Sequence, residues 1–158
     1  MKIVYLLLGA NLGDRHAALA DAAARLSAAG ARVLRSSSVY ETEPQYLKEQ
    51  PWFLNQVVEA ETALFPRQLL ARIHKIERAM GRKPGLRNSP RLIDIDILLF
   101  GQAVVATADL EIPHPRLEER RFALEPLAEL APGLRHPATG RTTREMLAGV
   151  KDQLVRKL

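Results

Sequence analysis

The stretch Leu92-Ile-Asp-Ile-Asp-Ile-Leu-Leu-Phe100 indicates how the chain folds, because it alternates apolar and acidic residues before becoming wholly apolar. Successive residues of a β-strand point to opposite faces of a sheet. Asp94 and Asp96 therefore lie side by side on one face, and the isoleucines around them point to the other face. The segment is predicted to be a strand with an apolar core on one side and two carboxylates on the other.

Elements on either side of this strand complete a β-α-β-β-α-β order, the ferredoxin-like pattern. Apolar periodicity and turn residues predict strands at 3–8, 33–41, 53–62 and 92–100, with helices at 14–29 and 66–80. A short return strand at 103–106 and helices at 119–130 and 142–150 follow. The expected fold is α+β, with a ferredoxin-like βαββαβ core, an additional C-terminal strand and helices, and a largely antiparallel sheet covered by helices.

Composition limits the possible classes of protein. The chain has 158 residues, 47% hydrophobic and 26% charged, which suits one domain over residues 1–158 and excludes disorder and collagen. It contains no cysteine, as expected for a reducing compartment, and we expect a cytoplasmic location. The apolar opening is too short to cross a bilayer, so no membrane partner is expected.

The positive charge is concentrated in one segment. The formal net charge is +5, yet residues 67–91 contain eight basic residues and a single acid, Glu77. Such a segment favours a negatively charged partner. Most of it belongs to the second predicted helix and the Pro- and Gly-containing stretch that follows.

Paired carboxylates beside a basic segment have two interpretations. A Mg²⁺ ion binds few protein carboxylates together with substrate phosphates, and guanidinium groups bind the phosphate oxygens. Asp94 and Asp96 are therefore candidate metal ligands. Alternatively, the two aspartates form a solvated strand face, and some of the basic residues only face water.

Other candidate residues are individually ambiguous. His114 stands between two prolines, which would fix the direction of its imidazole, although a lone loop histidine is more often structural. Asn55 alternates with apolar residues and could read a polar heterocycle, and Phe53 could stack on the same ring or simply pack in the core. Gly9-Ala-Asn-Leu-Gly13 fits neither common nucleotide-loop motif and is predicted to be a turn that caps the first helix.

Six segments in order resemble the 6-hydroxymethyl-7,8-dihydropterin pyrophosphokinase family of folate synthesis. They are Leu8-Gly-Ala-Asn-Leu-Gly13, Ser38-Val-Tyr-Glu-Thr-Glu-Pro44, Phe53-Leu-Asn55, Ile76-Glu77 with Gly81-Arg82, Pro90-Arg-Leu-Ile-Asp-Ile-Asp-Ile97, and Pro113-His-Pro-Arg116 with Arg120 and Phe122. The resemblance implies Mg²⁺-dependent transfer of diphosphate from ATP to the pterin alcohol, with release of AMP.

The resemblance also implies roles for individual residues. Asp94 and Asp96 would hold two Mg²⁺ ions, and Arg82 and Arg91 would act catalytically on the phosphates. The residues implied for ATP binding are His74, Glu77, the Ile97 backbone, His114 and Arg120. The residues implied for the pterin pocket are Thr42, Pro44, Phe53, Asn55 and Phe122.

The chain departs from the family pattern at Asn88 and Ser89, where an aromatic residue and a small residue are common, and at Gln45-Tyr46. These departures leave a non-catalytic pterin- or nucleotide-binding paralogue as an alternative. A basic nucleic-acid-binding module is a further alternative, although aromatic residues are only 5% of the chain and its most polar strand carries aspartates. We expect ATP and the pterin as partners, no nucleic acid, and a monomer.

Overall fold

The computed structural model describes residues 1–43, 51–81 and 92–158. Within these ranges the strands are β1 (Lys2–Ala10), β2 (Ala31–Ser36), β3 (Tyr40–Thr42), β4 (Phe53–Thr62), β5 (Asp94–Phe100), β6 (Val105–Ala106), β7 (Glu111–Ile112) and β8 (Val155–Lys157). The helices are α1 (Arg15–Ala28), α2 (Pro66–Ala79), α3 (Arg121–Leu130) and α4 (Thr143–Ala148), with a 3-10 helix at Leu117–Glu119.

The larger sheet has the strand order β5-β1-β4-β3-β8, and β2 also pairs with β4. The strand pairs are antiparallel. Since β2 and β3 share one edge of β4, together they take the place of a single second strand. The order therefore agrees with the predicted ferredoxin-like core, and β8 is the additional C-terminal strand.

The strand predicted at 33–41 is divided into two, and this part of the prediction was wrong. Between β2 and β3, the Ser37 hydroxyl accepts a 3.0 Å hydrogen bond from the Val57 amide, and Gln56 Nε2 donates to the Ser37 carbonyl at 2.8 Å. Side chains thus replace part of the ladder at a run of serines, which compete well for backbone groups.

The return strand predicted at 103–106 is confirmed at β6, but it pairs with β7 rather than with the strand before it. The first helix begins as predicted, since the Asp14 side chain accepts a 3.0 Å hydrogen bond from the Ala17 amide. The α4 helix begins with a capping box between Thr142 and Glu145. In the described ranges, no helix has the length and apolar character needed to cross a lipid bilayer.

Two clusters of buried side chains pack on the two faces of the sheet. The cluster on the α1 and α2 side includes Leu6, Leu8 and Ile95. The cluster on the α3 and α4 side includes Leu7 and Val57. Because β1 and β4 contribute alternate residues to both clusters, the apolar side chains hold helices against both faces of the sheet.

Candidate active site

The two predicted carboxylates lie at the start of β5. Asp94 and Asp96 are half-buried, whereas Ile93, Ile95 and Ile97 are almost fully buried on the α1 and α2 side. The Cα atoms of residues two apart on a strand are roughly 6–7 Å apart. The alternation predicted from the sequence is therefore confirmed, and both aspartates project from the face that carries α3.

The strand register aligns Asp94 with two other residues. Gly9 of β1 lies opposite Asp94 on one side and opposite Asn55 of β4 on the other. A Cβ atom added at Gly9 would lie 3.3 Å from Asn55 Oδ1 and 3.8 Å from the Phe53 ring. Gly9 therefore leaves space between a carboxylate and an amide that are two strand spacings, roughly 10 Å, apart.

The amide of Asn55 is held by its neighbour on β3. Asn55 Nδ2 donates a 2.8 Å hydrogen bond to Thr42 Oγ1, and both side chains are buried. Thr42 pairs with Phe53, which is half-buried on the same face as Asn55. Three of the predicted pterin residues are thus brought together.

Arg120 and Phe122 lie at the beginning of α3. The Arg120 guanidinium carbon is 5.3 Å from the centroid of the Phe122 ring, within the range of a cation–π interaction. Phe122 packs against the buried cluster that contains Leu7 and Val57. The two predicted residues therefore contact each other on the sheet face that carries the aspartates.

Two hydrogen-bond networks anchor α3 to this face. Tyr40 donates a 2.7 Å hydrogen bond to Glu129 of α3. Tyr5 donates to Glu59 at 2.6 Å, while Arg35 binds Glu59 and the Leu130 carbonyl. Burial, followed by the contact with Glu59, raises the pKa of Tyr5 to about 12, so the phenol stays a donor at neutral pH.

His114 is fixed by its own loop. Its amide donates to the Leu98 carbonyl at 3.0 Å, and its Nδ1 accepts from the Arg116 amide at 3.1 Å. Burial lowers the pKa of the imidazole to about 4, with further lowering by the positive charges of Arg120 and Arg116. His114 is therefore neutral at pH 7 and carries its proton on Nε2, where it can donate to an anionic ligand.

The predicted ATP residues on α2 and β5 occupy different environments. Glu77 is buried, and its Oε2 accepts a 3.0 Å hydrogen bond from the Ile95 amide. His74, three residues earlier on α2, is exposed, whereas the Ile97 side chain is in the core. Only the backbone of Ile97 is therefore available to a ligand.

Three predicted residues, Arg82, Arg91 and Pro44, lie outside the described residues, as do the departures at Asn88, Ser89 and Gln45-Tyr46. Within the described ranges, no three His, Cys, Asp or Glu side chains cluster as a metal site. The pair of aspartates still suits Mg²⁺, because this ion commonly takes one or two protein carboxylates and completes its coordination with water and substrate phosphate.

Sequence reasoning missed two features of this region. From the sequence Gly9 is predicted only as part of a helix-capping turn, because the register that places it between Asp94 and Asn55 is a nonlocal property. The contacts of Arg156 with Glu41 and Trp52 were also missed. No local pattern signals a contact between residues about a hundred positions apart.

These observations define the class of protein: an α+β domain with a ferredoxin-like sheet, a pair of carboxylates and a buried amide on one face. The chain also matches the family model described as 7,8-dihydro-6-hydroxymethylpterin-pyrophosphokinase (HPPK) over residues 5–132. The chain belongs to this family.

Bacterial relatives match over most of both chains. The 2-amino-4-hydroxy-6-hydroxymethyldihydropteridine pyrophosphokinase of Methylorubrum extorquens is 45% identical, covering 94% of this chain and 93% of the relative. The Bacillus subtilis protein of the same name is 43% identical, covering 90% and 86%. The similarity therefore extends over nearly the whole length of these two proteins.

Other relatives are much longer. The folic acid synthesis protein fol1 of Pneumocystis carinii is 42% identical over 88% of this chain, and the match spans 19% of that protein. A solved structure of Plasmodium falciparum HPPK-DHPS with pteroate has a TM-score of 0.75 at 18% identity, covering 94% of this chain and 42% of that one. The structural match supports the fold alone.

Proposed function

We propose that the chain transfers the diphosphate of ATP to the hydroxymethyl group of 6-hydroxymethyl-7,8-dihydropterin and releases AMP, a step of tetrahydrofolate biosynthesis. The observation that carries the proposal is the row Asp94–Gly9–Asn55 across three strands. This row combines a carboxylate suited to a cation with a buried amide suited to a heterocycle, and it leaves open space between them. Membership of the family supports the same reaction.

The pterin half of the site would use the residues around Asn55. Its side-chain oxygen faces the space above Gly9, and its Nδ2 is already committed to Thr42. The exposed part of the Phe53 ring offers one aromatic surface, and Phe122 on α3 is proposed to offer a second. Thr42 and Pro44 complete the proposed pocket.

The ATP half would use positive charge and neutral donors. Arg120 and the Nε2–H of His114 are proposed to bind phosphate oxygens, together with the exposed His74. Glu77 and the Ile97 backbone lie at the outer edge of β5 and are proposed to border the nucleotide. Arg82 and Arg91 are proposed to act on the phosphates during transfer.

Asp94 and Asp96 would hold Mg²⁺, two ions being expected. When bound, Mg²⁺ neutralises phosphate charge and orients the phosphates for displacement. In the proposed reaction the pterin hydroxyl oxygen forms a bond to the β-phosphorus, and the bond from that phosphorus to the bridging oxygen of AMP breaks. The hydroxyl proton passes to water, and the arginines stabilise the charge that develops on the phosphate oxygens.

Mass spectrometry tests the proposal directly. Purified protein incubated with Mg²⁺, ATP and the pterin alcohol should produce AMP and diphosphorylated pterin in equal amounts. Binding of both substrates without these products would instead identify a non-catalytic paralogue. Salt-sensitive RNA binding without pterin binding would favour the nucleic-acid module.

The remaining proposals concern the whole protein. We propose that residues 1–158 act as a single pyrophosphokinase domain, as a monomer, in the cytoplasm, where ATP is available. Analytical ultracentrifugation and cell fractionation test the last two of these. A sedimentation coefficient typical of a dimer would contradict the monomer.

A further inference from the structure

Arg156 of the C-terminal strand β8 contacts two residues that each precede a proposed pterin-binding residue in the chain. Arg156 of β8 donates a 2.7 Å hydrogen bond to Glu41 Oε1, and its guanidinium carbon lies 4.4 Å from the Trp52 ring centroid. Glu41 immediately precedes Thr42, and Trp52 immediately precedes Phe53. One arginine therefore bridges the neighbours of two proposed pterin-binding residues.

A second arginine reaches the same two segments from α1. Arg15 Nη1 donates to the Trp52 carbonyl at 2.8 Å and to Glu41 Oε2 at 3.4 Å. Glu41 thus receives a different arginine on each carboxylate oxygen. We name this set of four residues, Arg15, Glu41, Trp52 and Arg156, the back clamp.

The back clamp acts at a weak point of the sheet. β3 is only three residues long, and Thr42 with Phe53 is the last pair of its ladder with β4. Strand ends open easily because few contacts hold them.

The back clamp lies on the sheet face opposite the proposed pterin residues. Tyr40 and Thr42 point to the α3 side, since Tyr40 contacts Glu129 and Thr42 contacts Asn55. Alternation therefore puts Glu41 and the clamp on the opposite face.

The clamp residues also line an open cavity of about 450 Å³. Its charged groups are already engaged, because Glu41 is bound by both arginines and Arg156 lies over the Trp52 ring. These contacts suit a structural brace better than a site for a further ligand.

We propose that Arg15 and Arg156 are positioning residues which, through Glu41 and Trp52, hold Thr42 and Phe53 in register and so set the affinity for the pterin. The inference rests on the proposed function for its choice of ligand. Arg156 binds Glu41 on the sheet face opposite Thr42, so its removal should weaken pterin binding while the bound substrates still react normally.

The chain offers a matched control for this test. Arg32 of β2 and Glu61 of β4 form an ion pair directly across two strands, as Arg156 and Glu41 do. Both arginine side chains are more than half exposed, at 66% and 56%. The Arg32–Glu61 pair lies at the other end of β4, away from Phe53.

The variants Arg156→Ala and Glu41→Gln should raise the KM for the pterin about 5- to 20-fold, the range that weak ion pairs and one cation–π contact can supply together. The kcat and the KM for ATP should change less than about twofold, and Arg32→Ala and Glu61→Gln should change none of the three constants. An unchanged pterin KM, or an equal rise for both substrates, overturns the proposal. If Arg156→Ala does not fold, Arg156→Lys replaces it and should give a smaller rise, because the charge stays while the flat stacking surface is lost.

A second readout separates this proposal from the proposed function. Trp52 is the only tryptophan of the chain, so its fluorescence reports on the clamp without any substrate. Arg156→Ala should change this emission and speed amide exchange of 40–42, and Arg32→Ala should do neither. If the wild type forms no product, the proposed reaction fails, and the substrate-free measurements still decide whether the clamp holds β3. Unchanged Trp52 emission and unchanged amide exchange of 40–42 in Arg156→Ala would overturn the proposed role of the back clamp.

Discussion

Glu77 of α2 accepts a 3.0 Å hydrogen bond at Oε2 from the amide of Ile95, the residue between Asp94 and Asp96. Among the described residues β5 is an edge strand of the sheet, and no strand of that part of the chain binds the outward-facing amide of Ile95. A buried carboxylate from the second helix supplies the partner instead. The position of the two aspartates therefore depends on α2, the helix that precedes β5 in the chain.

We predict that Glu77→Ala lowers the free energy of unfolding by about 2–3 kcal/mol, because it leaves a buried amide without its partner. Glu77→Gln retains an acceptor oxygen and should lose less, about 1 kcal/mol. Urea unfolding measures both values, with Lys75→Ala on the exposed side of the same helix as the control. Equal losses for Ala and Gln would show that the hydrogen bond to Ile95 contributes little.

We predict that Asp96→Ala reduces turnover by about 10²- to 10⁴-fold, because it removes a proposed metal ligand that neutralises phosphate charge. The half-buried side chain is not part of either apolar cluster, so the fold should survive. Turnover, Mg²⁺ titration and urea unfolding are measured together. Asp21→Ala on α1 is the control, and near-normal turnover of Asp96→Ala would exclude the metal role.

The sequence predicts those features of this site that depend on neighbouring residues. The alternation of aspartate and isoleucine places Asp94 and Asp96 on one face without knowledge of any other strand, and the structure confirms it. The start of α1 at Asp14 is equally local. Residues within a few positions of one another determine both features, so the local sequence pattern is enough to predict them.

Features that depend on register could not be predicted. Gly9 has Asn55 and Asp94 as neighbours only because β1 pairs with β4 and β5 in one particular alignment. The break at Ser37 depends on the Val57 amide, twenty residues away. Hydrophobic alternation shows which face a residue occupies, but it does not show which residue lies opposite.

We predict that Gly9→Ala raises the KM for the pterin about tenfold and lowers the free energy of unfolding by about 1 kcal/mol. The new methyl group would lie 3.3 Å from Asn55 Oδ1, so the amide must move by a few tenths of an ångström. Gly133→Ala is the control, because a Cβ there meets no atom of the described residues within 4 Å. An unchanged pterin KM in Gly9→Ala would mean that this space is not used.

The last prediction concerns the charge of His114. Its pKa in the folded chain is about 4, below the 6.5 of an ordinary imidazole, mainly because of burial. Between pH 6.5 and 4 the unfolded chain therefore binds a proton at this imidazole that the folded chain does not, so its contribution to stability is present above pH 6.5 and falls as the pH drops to 4. His114→Asn keeps an acceptor near the Arg116 amide and cannot titrate, so part of this fall should disappear.

Histidine NMR titration measures this directly, with the signal missing in His114→Asn giving the assignment. A midpoint near 4 is expected, and the pH dependence of urea unfolding should differ between the two proteins only below about pH 6.5. A midpoint near 6.5 would contradict the lowering of the His114 pKa by burial. In that case a minor fraction of the His114 imidazole would carry a positive charge at pH 7.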